Sequence, residues 1–196
     1  MQNILTTKLP ESINVYGKDI EIYTDFKKWI EFEIELEKEN ESFNNILKLL
    51  DFVKNKKLIN HSNLEEVINQ LIVFYNCGEK VIHSDKKQDM KIMYSFNKDQ
   101  FMIYSDFIRF YGTDLSECTM HWWKFKKLFI ELPLQSATKE AMKYRSIRID
   151  SKMSPEQRKF YVRMKQIYSL EKEVSKEKRQ AQISSILFKG MNIKRD

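Results

Sequence analysis

Ten residues, MHWWKFKKLF from Met120 to Phe129, hold a histidine, two adjacent tryptophans and three lysines. Three kinds of chemistry suit such a stretch. His121 can act as a base in an aromatic pocket. The rings and cations can form a stacking platform for nucleic acid. Or the segment is one packed helix with an apolar strip left at its edge.

Catalysis is the weakest of the three. A general base needs an orienting partner and a nucleophile or substrate within reach. No GxSxG, HExxH or Gly-rich phosphate loop supplies them. The carboxylates between Glu31 and Glu41 read as a solvated acidic face, not a matched pair. Cys77 and Cys118 stand far apart, and His61, His83 and His121 share no ligand spacing, so no zinc site is expected. The sequence therefore points to no enzyme, no cofactor and no metal. Nucleic-acid binding rests on Lys124, Lys126 and Lys127 beside Trp123, with Arg145, Arg148, Arg158 and Arg163 further along. No recognised nucleic-acid-binding signature accompanies them.

Placement of the rings follows from helix geometry. At about 100° per residue, Trp122, Phe125, Phe129 and Leu132 fall within ~40° of Cys118 and form the buried stripe. His121 and Leu128 lie on its shoulder. Met120, Lys124, Lys127 and Glu131 face water. Trp123 and Ile130 fall ~120–140° from the centre of the stripe, next to the lysines. Trp123 is thus either covered by another element or offered to a partner; Trp123, Ile130, Lys126 and Lys127 are the candidate partner-binding residues.

The elements that position this helix can be read in turn. In 9–24, Ile13 and Val15 alternate on one arm and Ile20 and Ile22 on the other, with Gly17 at the turn; a β-hairpin is expected. A helix with an acidic face follows over 25–38, with Asp25 as its cap. Helices are expected over 42–54 and over 63–76. Ser62 and Glu65 stand at capping-box spacing before the second, and Gly78 lies just past its end. The polar stretch 79–92 reads as a loop between an N-terminal lobe, 1–78, and a C-terminal one, 93–170. In 97–111, Asn97 and Gln100 stand at capping spacing, Phe101, Tyr104, Phe107, Ile108 and Tyr111 form the apolar face, and Gly112 ends the helix. Helices over 116–131, stopped by Pro133, over 137–146 and over 155–169 complete the pattern. The last opens with the capping sequence SPEQ and has Phe160, Met164, Ile167 and Tyr168 as its core face. Residues 171–196 read as a basic tail, either a solvated helix or a mobile arm.

Composition agrees with a mainly α, multi-helix fold carrying a small N-terminal β-hairpin. Four Gly and three Pro in 196 residues are too few for the tight turns of a sheet-rich fold. The net charge of +6 is unevenly placed. Residues 139–196 carry 16 Lys and Arg against 7 Asp and Glu, while 1–138 carry 18 against 21. Such an arm suits an acidic partner or nucleic acid. The opening MQNILTTKLPESI lacks the order of a signal peptide, and no apolar run approaches ~18 residues. The expectation is a soluble chain in a reducing compartment with two free, buried thiols.

The segments YSFNKDQFMIYSDFIRFYGTDL, MHWWKFKKLFIELP, MKYRSIRID and SPEQRKFYVRMKQIYSL, with the opening hairpin, resemble the tailed-bacteriophage family named after gene product fifteen. The similarity covers most of 4–170. It implies a mainly helical, non-catalytic tail assembly chaperone working in the host bacterial cytoplasm. Its implied partner is the long, apolar, helical tape-measure protein, held helix-in-groove and kept soluble until the tail tube forms around it. An apolar strip of this kind can also pair with its own copy, so a homo-oligomer is a further expectation.

Overall fold

A computed structural model describes residues 6–38, 47–79 and 93–170. Strands β1 (Ser12–Val15) and β2 (Lys18–Glu21) pair antiparallel, with Ile13 opposite Ile20 and Val15 opposite Lys18. The two-residue turn needs positive φ at both positions, and Tyr16 (50°) and Gly17 (80°) adopt it. Asn14 fixes this turn: its Oδ1 accepts from Gly17 N–H at 3.1 Å, and its Nδ2 donates to Asp19 Oδ1 at 2.8 Å. Ile13, Val15, Ile20 and Ile22 share one face and are all buried. A hairpin this small is stable only because that face packs on helices.

Six helices follow among the described residues: α1 (Phe26–Lys38), α2 (Leu64–Tyr75), α3 (Gln100–Tyr111), α4 (Trp122–Ile130), α5 (Ala137–Ser146) and α6 (Pro155–Ile167). The chain is mainly α with an N-terminal hairpin, as its composition implied. Asp25 caps α1, its Oδ1 accepting from Lys27 N–H at 2.9 Å. Ser154 and Gln157 form the expected capping box on α6, with Pro155 at the first position. Gly112 ends α3 in the left-handed region, φ 59°.

The core is aromatic. Trp29 is fully buried; its ring stacks on Phe52 at 3.7 Å and on Trp122 at 6.0 Å. Phe125 continues the stack between Phe26 and Phe107. Buried residues on both sides of 80–92 join this one core, Phe74 from one side and Phe96, Phe107 and Trp122 from the other. The expected loop over 79–92 lies outside the described residues beyond Glu79, as does the tail 171–196.

Several local expectations are corrected. The helix over 42–54 falls partly outside the described residues, and its end is not α-helical. Leu49–Phe52 is a 3-10 turn, and Val53 then bridges to Ile22 beside β2. The capping box at Ser62 and Glu65 does not form. Ser62 Oγ instead donates to Asn60 Oδ1 at 2.6 Å, because Asn60 closes a turn of its own there. Helix α3 starts at Gln100, and Asn97 is no cap; the Gln100 side chain donates to the Asn97 carbonyl. Its buried residues are Ile103, Asp106 and Phe107, whereas Phe101 is 77% exposed. Of the expected face Phe107 is buried and Tyr104 and Tyr111 partly so, but Phe101 and Ile108 are exposed and Ile103 takes their place, because apolar residues on several sides of α3 leave its exact phase to tertiary packing. Helix α4 begins at Trp122, since residues 115–117 form a turn and His121 is extended (φ −66°, ψ 138°) and bridges to Asp25. In α6 no residue is buried, and Phe160 and Ile167 are about half exposed at 49% and 60%. Cys77 is buried but Cys118 only partly so.

Candidate functional site

The segment opened by His121 joins three parts of the molecule. Phe26 N–H donates to the Met120 carbonyl at 2.9 Å, and Trp122 N–H to the Thr24 carbonyl at 2.7 Å, so α1 and α4 start from one short ladder. His121 caps α4: its Nδ1 accepts from Trp123 N–H at 3.1 Å. A nitrogen that accepts an N–H carries no proton, so Nε2 is the protonated one, donating to the Pro10 carbonyl at 2.9 Å. Burial holds this imidazole below its ordinary pKa; the Pro10 bond and Glu11 pull the other way. Both ring nitrogens are committed to backbone partners, which leaves no lone pair for base catalysis.

The two indoles cap the end of α2. A helix leaves its last carbonyls without intrahelical donors. Trp122 Nε1 donates to the Tyr75 carbonyl at 2.9 Å, and Trp123 Nε1 to the Phe74 carbonyl at 2.7 Å. Lys126 Nζ reaches the same Tyr75 carbonyl at 3.0 Å, placing a cation at the negative end of the helix dipole. The lysine also lies over the Tyr75 ring, 4.1 Å from its centroid. One turn of α4 thus supplies three donors to the last two residues of α2. Beyond them Cys77 (φ 57°) and Gly78 (φ 80°) turn left-handed, and a Cβ at Gly78 would stand 3.2 Å from the Trp123 ring.

A polar network extends this joint. Tyr75 Oη donates to Glu33 Oε1 at 2.7 Å, and Tyr94 Oη reaches Glu33 Oε2 at 3.4 Å. Burial raises the Glu33 carboxyl above its ordinary pKa, against the lowering pull of Tyr75, Lys126 and Tyr94. Burial likewise lowers Lys126 and raises both phenols. Glu37 takes the Ser95 hydroxyl at 2.6 Å. The acidic face of α1 is therefore not wholly solvated: Glu33 and Glu37 bind the chain on the far side of 80–92.

The four candidate partner-binding residues do not form one strip. Trp123 and Lys127 line one groove; Lys126 and Ile130 line a separate, smaller hollow of about 170 Å³. Trp123 is half-buried. Ile130 is 46% exposed. Lys126 turns inward to Tyr75, and Lys127 pairs with Glu79 at 3.1 Å. Arg145, a candidate for a basic groove, is spent inside the molecule. It forms a two-pronged pair with Asp99 at 2.6 and 2.7 Å and also donates to the Met93 and Tyr168 carbonyls.

These elements create a groove beside Trp123. Its volume is about 690 Å³, within the ~300–1,000 Å³ usual for binding clefts. Val73, Phe74, Cys77 and Trp123 give it apolar lining from α2, the turn beyond it and α4, and Leu9, Ser12 and Asn14 line it from β1 and the chain entering it. Sequence reasoning reached Trp123 and Lys127 but none of the others. The hairpin and the end of α2 are some sixty residues apart, and no periodicity brings them together.

A family model described as Bacteriophage Gp15 protein matches residues 5–170. The chain belongs to this family. The match covers every described element of the fold, and the groove lies wholly inside it. No curated protein matches the chain, and no solved structure does. Within this Gp15 family member no helix of the described residues is long and apolar enough to cross a membrane.

Proposed function

We propose that this protein is a non-catalytic tail assembly chaperone of a tailed bacteriophage, working in the host bacterial cytoplasm. It holds an apolar segment of the tape-measure protein in the groove beside Trp123 until the tail tube replaces it. The observation that carries this reading is the groove itself, in a chain of the Gp15 family. An apolar cleft of about 690 Å³ lies between the hairpin, α2 and Trp123, with charged residues at its rim. A long apolar partner aggregates unless such surfaces cover it. Release has to be easy, and a short cleft with a polar rim suits a transient contact better than an obligate one.

The committed state of the other candidates supports binding over catalysis. His121 has both nitrogens engaged by backbone. Arg145 is enclosed with Asp99, which takes one of the candidate cations out of any nucleic-acid surface. The test is co-expression with the tape-measure protein of the same phage genome. Soluble tape-measure protein that co-purifies with this chain is the expected result. Tape-measure protein that stays insoluble, with or without this chain, refutes the reading. Recovery of this chain from purified virions would instead identify a structural tail component.

A further inference from the structure

We infer that the groove takes its partner as an extended strand, added to the open edge of β1, rather than as a helix. This rests on the reading above, that the groove seats the partner. The hydrogen-bond register supplies the argument. Ile22 N–H donates to the Glu11 carbonyl at 3.0 Å, so Glu11 and Ile22 are a hydrogen-bonded pair. In an antiparallel ladder such pairs alternate with non-bonded ones. Ser12 opposite Glu21 and Asn14 opposite Asp19 are then the non-bonded pairs. Their main-chain N–H and C=O groups point away from β2, along the side that lines the groove. No partner for them exists among the described residues.

The other edge of the hairpin is already closed. Tyr23 N–H donates to the Phe52 carbonyl at 2.7 Å, and Lys54 N–H to the Glu21 carbonyl at 3.0 Å. On the β1 side pairing has begun and stopped. His121 Nε2 occupies the Pro10 carbonyl, and the next outward groups, at Ser12 and Asn14, are left open. Natural edge strands are guarded by charge or proline. Here Lys8 and Pro10 precede the edge and Ser12–Asn14 carries neither. A helix has already satisfied its own backbone and cannot use these groups. An extended chain can, and its alternate side chains then face the wall of Val73, Cys77 and Trp123. The matching partner segment is four to five residues long in order of magnitude, extended, and apolar at alternate positions. The rim cations Lys8 and Lys127 are already paired with Glu11 and Glu79, so recognition is not ionic and binding changes little with salt.

The experiment uses the full chain co-purified with the tape-measure protein of the same phage, with amide hydrogen exchange measured in the free and bound states. Ser12→Pro is the decisive variant. It removes an outward N–H that takes no part in the β1–β2 ladder, a place where proline is tolerated; Ser12→Ala is its control. Expected are exchange at Ser12 and Asn14 slowed at least roughly tenfold in the complex, and binding weakened about three- to tenfold by Ser12→Pro alone, the worth of one hydrogen bond. The unfolding midpoint of Ser12→Pro should match that of Ser12→Ala. A complex that protects α2 around Val73 but leaves Ser12 and Asn14 exchanging freely, with Ser12→Pro binding like wild type, overturns the strand and leaves the groove reading intact. Absence of any complex overturns both. Amides at Ser12 and Asn14 already slow in the free chain also overturn it, since the edge is then taken by this chain itself or, if dilution restores exchange, by a second copy.

Discussion

Replacing Arg145 by Met tests the deepest electrostatic commitment in the fold. The Arg145 and Asp99 side chains are 8% and 3% exposed. Four donor contacts run from this guanidinium: two to Asp99 at 2.6 and 2.7 Å, one to the Met93 carbonyl at 2.9 Å and one to the Tyr168 carbonyl at 2.6 Å. They tie α5 to the start of α3, to the segment entering it, and to the end of α6. Methionine keeps most of the apolar stem and removes every donor. Asp99 retains the Ser95 N–H at 3.0 Å but is left as a buried carboxylate without a countercharge. Breaking a buried pair in this way costs about 3–5 kcal/mol. The Met93 and Tyr168 carbonyls add little, because both residues are partly exposed and water can reach them. Against a total stability of roughly 5–15 kcal/mol, the variant loses a large share of its folding free energy. Urea unfolding of wild type, Arg145→Met, Asp99→Asn and the double variant gives the cycle. The double variant should be more stable than Arg145→Met, since no bare charge remains. A loss under about 1 kcal/mol, or a coupling near zero, would refute the claim that this pair is desolvated and holds the three elements together.

Trp122→Phe and Trp123→Phe each remove one indole donor from the end of α2. The first also shrinks a fully buried ring and should cost about 2–3 kcal/mol, the second about 1 kcal/mol, by chemical denaturation; the reverse order would mean the two indoles have been assigned the wrong roles. Gly78→Ala and Gly17→Ala both place a side chain at φ +80°, but only at Gly78 does the new Cβ meet Trp123, at 3.2 Å. Both should lower the melting temperature by the left-handed cost of about 1–2 kcal/mol, and Gly78→Ala further; equal losses would show that the Trp123 ring moves aside freely. For His121 the folded pKa lies below the ordinary 6.5, so the unfolded chain binds the proton more readily. Its contribution to stability is therefore lost as pH falls through 6.5 toward the folded value. His121→Asn keeps a capping side chain without a titration and should flatten the stability profile between about pH 7 and 5; an unchanged slope would place the pH dependence elsewhere.

The elements legible in the sequence were those whose signal is local. The hairpin followed from Ile13, Val15, Ile20 and Ile22 around Gly17, and α6 from its SPEQ capping box. Helix α5 was read with the bounds it has, Ala137–Ser146. The buried stripe Trp122, Phe125, Phe129 and Leu132 is also correct, since three rings and a leucine at helical spacing leave one phase. What failed depended on distant partners. Nothing near Glu33 announces Tyr75 and Tyr94 across 42 and 61 residues, and nothing near Arg145 announces Asp99. Phe101 looks like core in α3 because apolar residues surround the helix; only the packing of Ile103 and Phe107 selects the phase. The candidate site was half legible. Periodicity put Trp123 at the edge of the buried stripe, and it lines the groove. It gave no reason to expect that the indole N–H was already bound to Phe74, or that the facing wall was a strand edge.

That last point changes where a docking determinant is to be sought. The pairing of two tryptophans with His121 and Lys126 explains itself within the fold: a cap for α4, two indole donors and a cation for the end of α2. Each of those atoms is used, so their constancy in any variant set would report the joint and not the partner. Trp123 lines the groove with its indole N–H already given to the Phe74 carbonyl. Substitutions that leave the joint intact are the ones that separate binding from folding. The backbone edge at Ser12 and Asn14 meets that condition, as does the side chain of Val73 on the opposite wall. A site that pairs as proposed would tolerate many partner sequences, because main-chain groups would do the pairing and side chains only fill the wall. On the proposed reading, with a long apolar client, that permissiveness fits better than a single deep anchor.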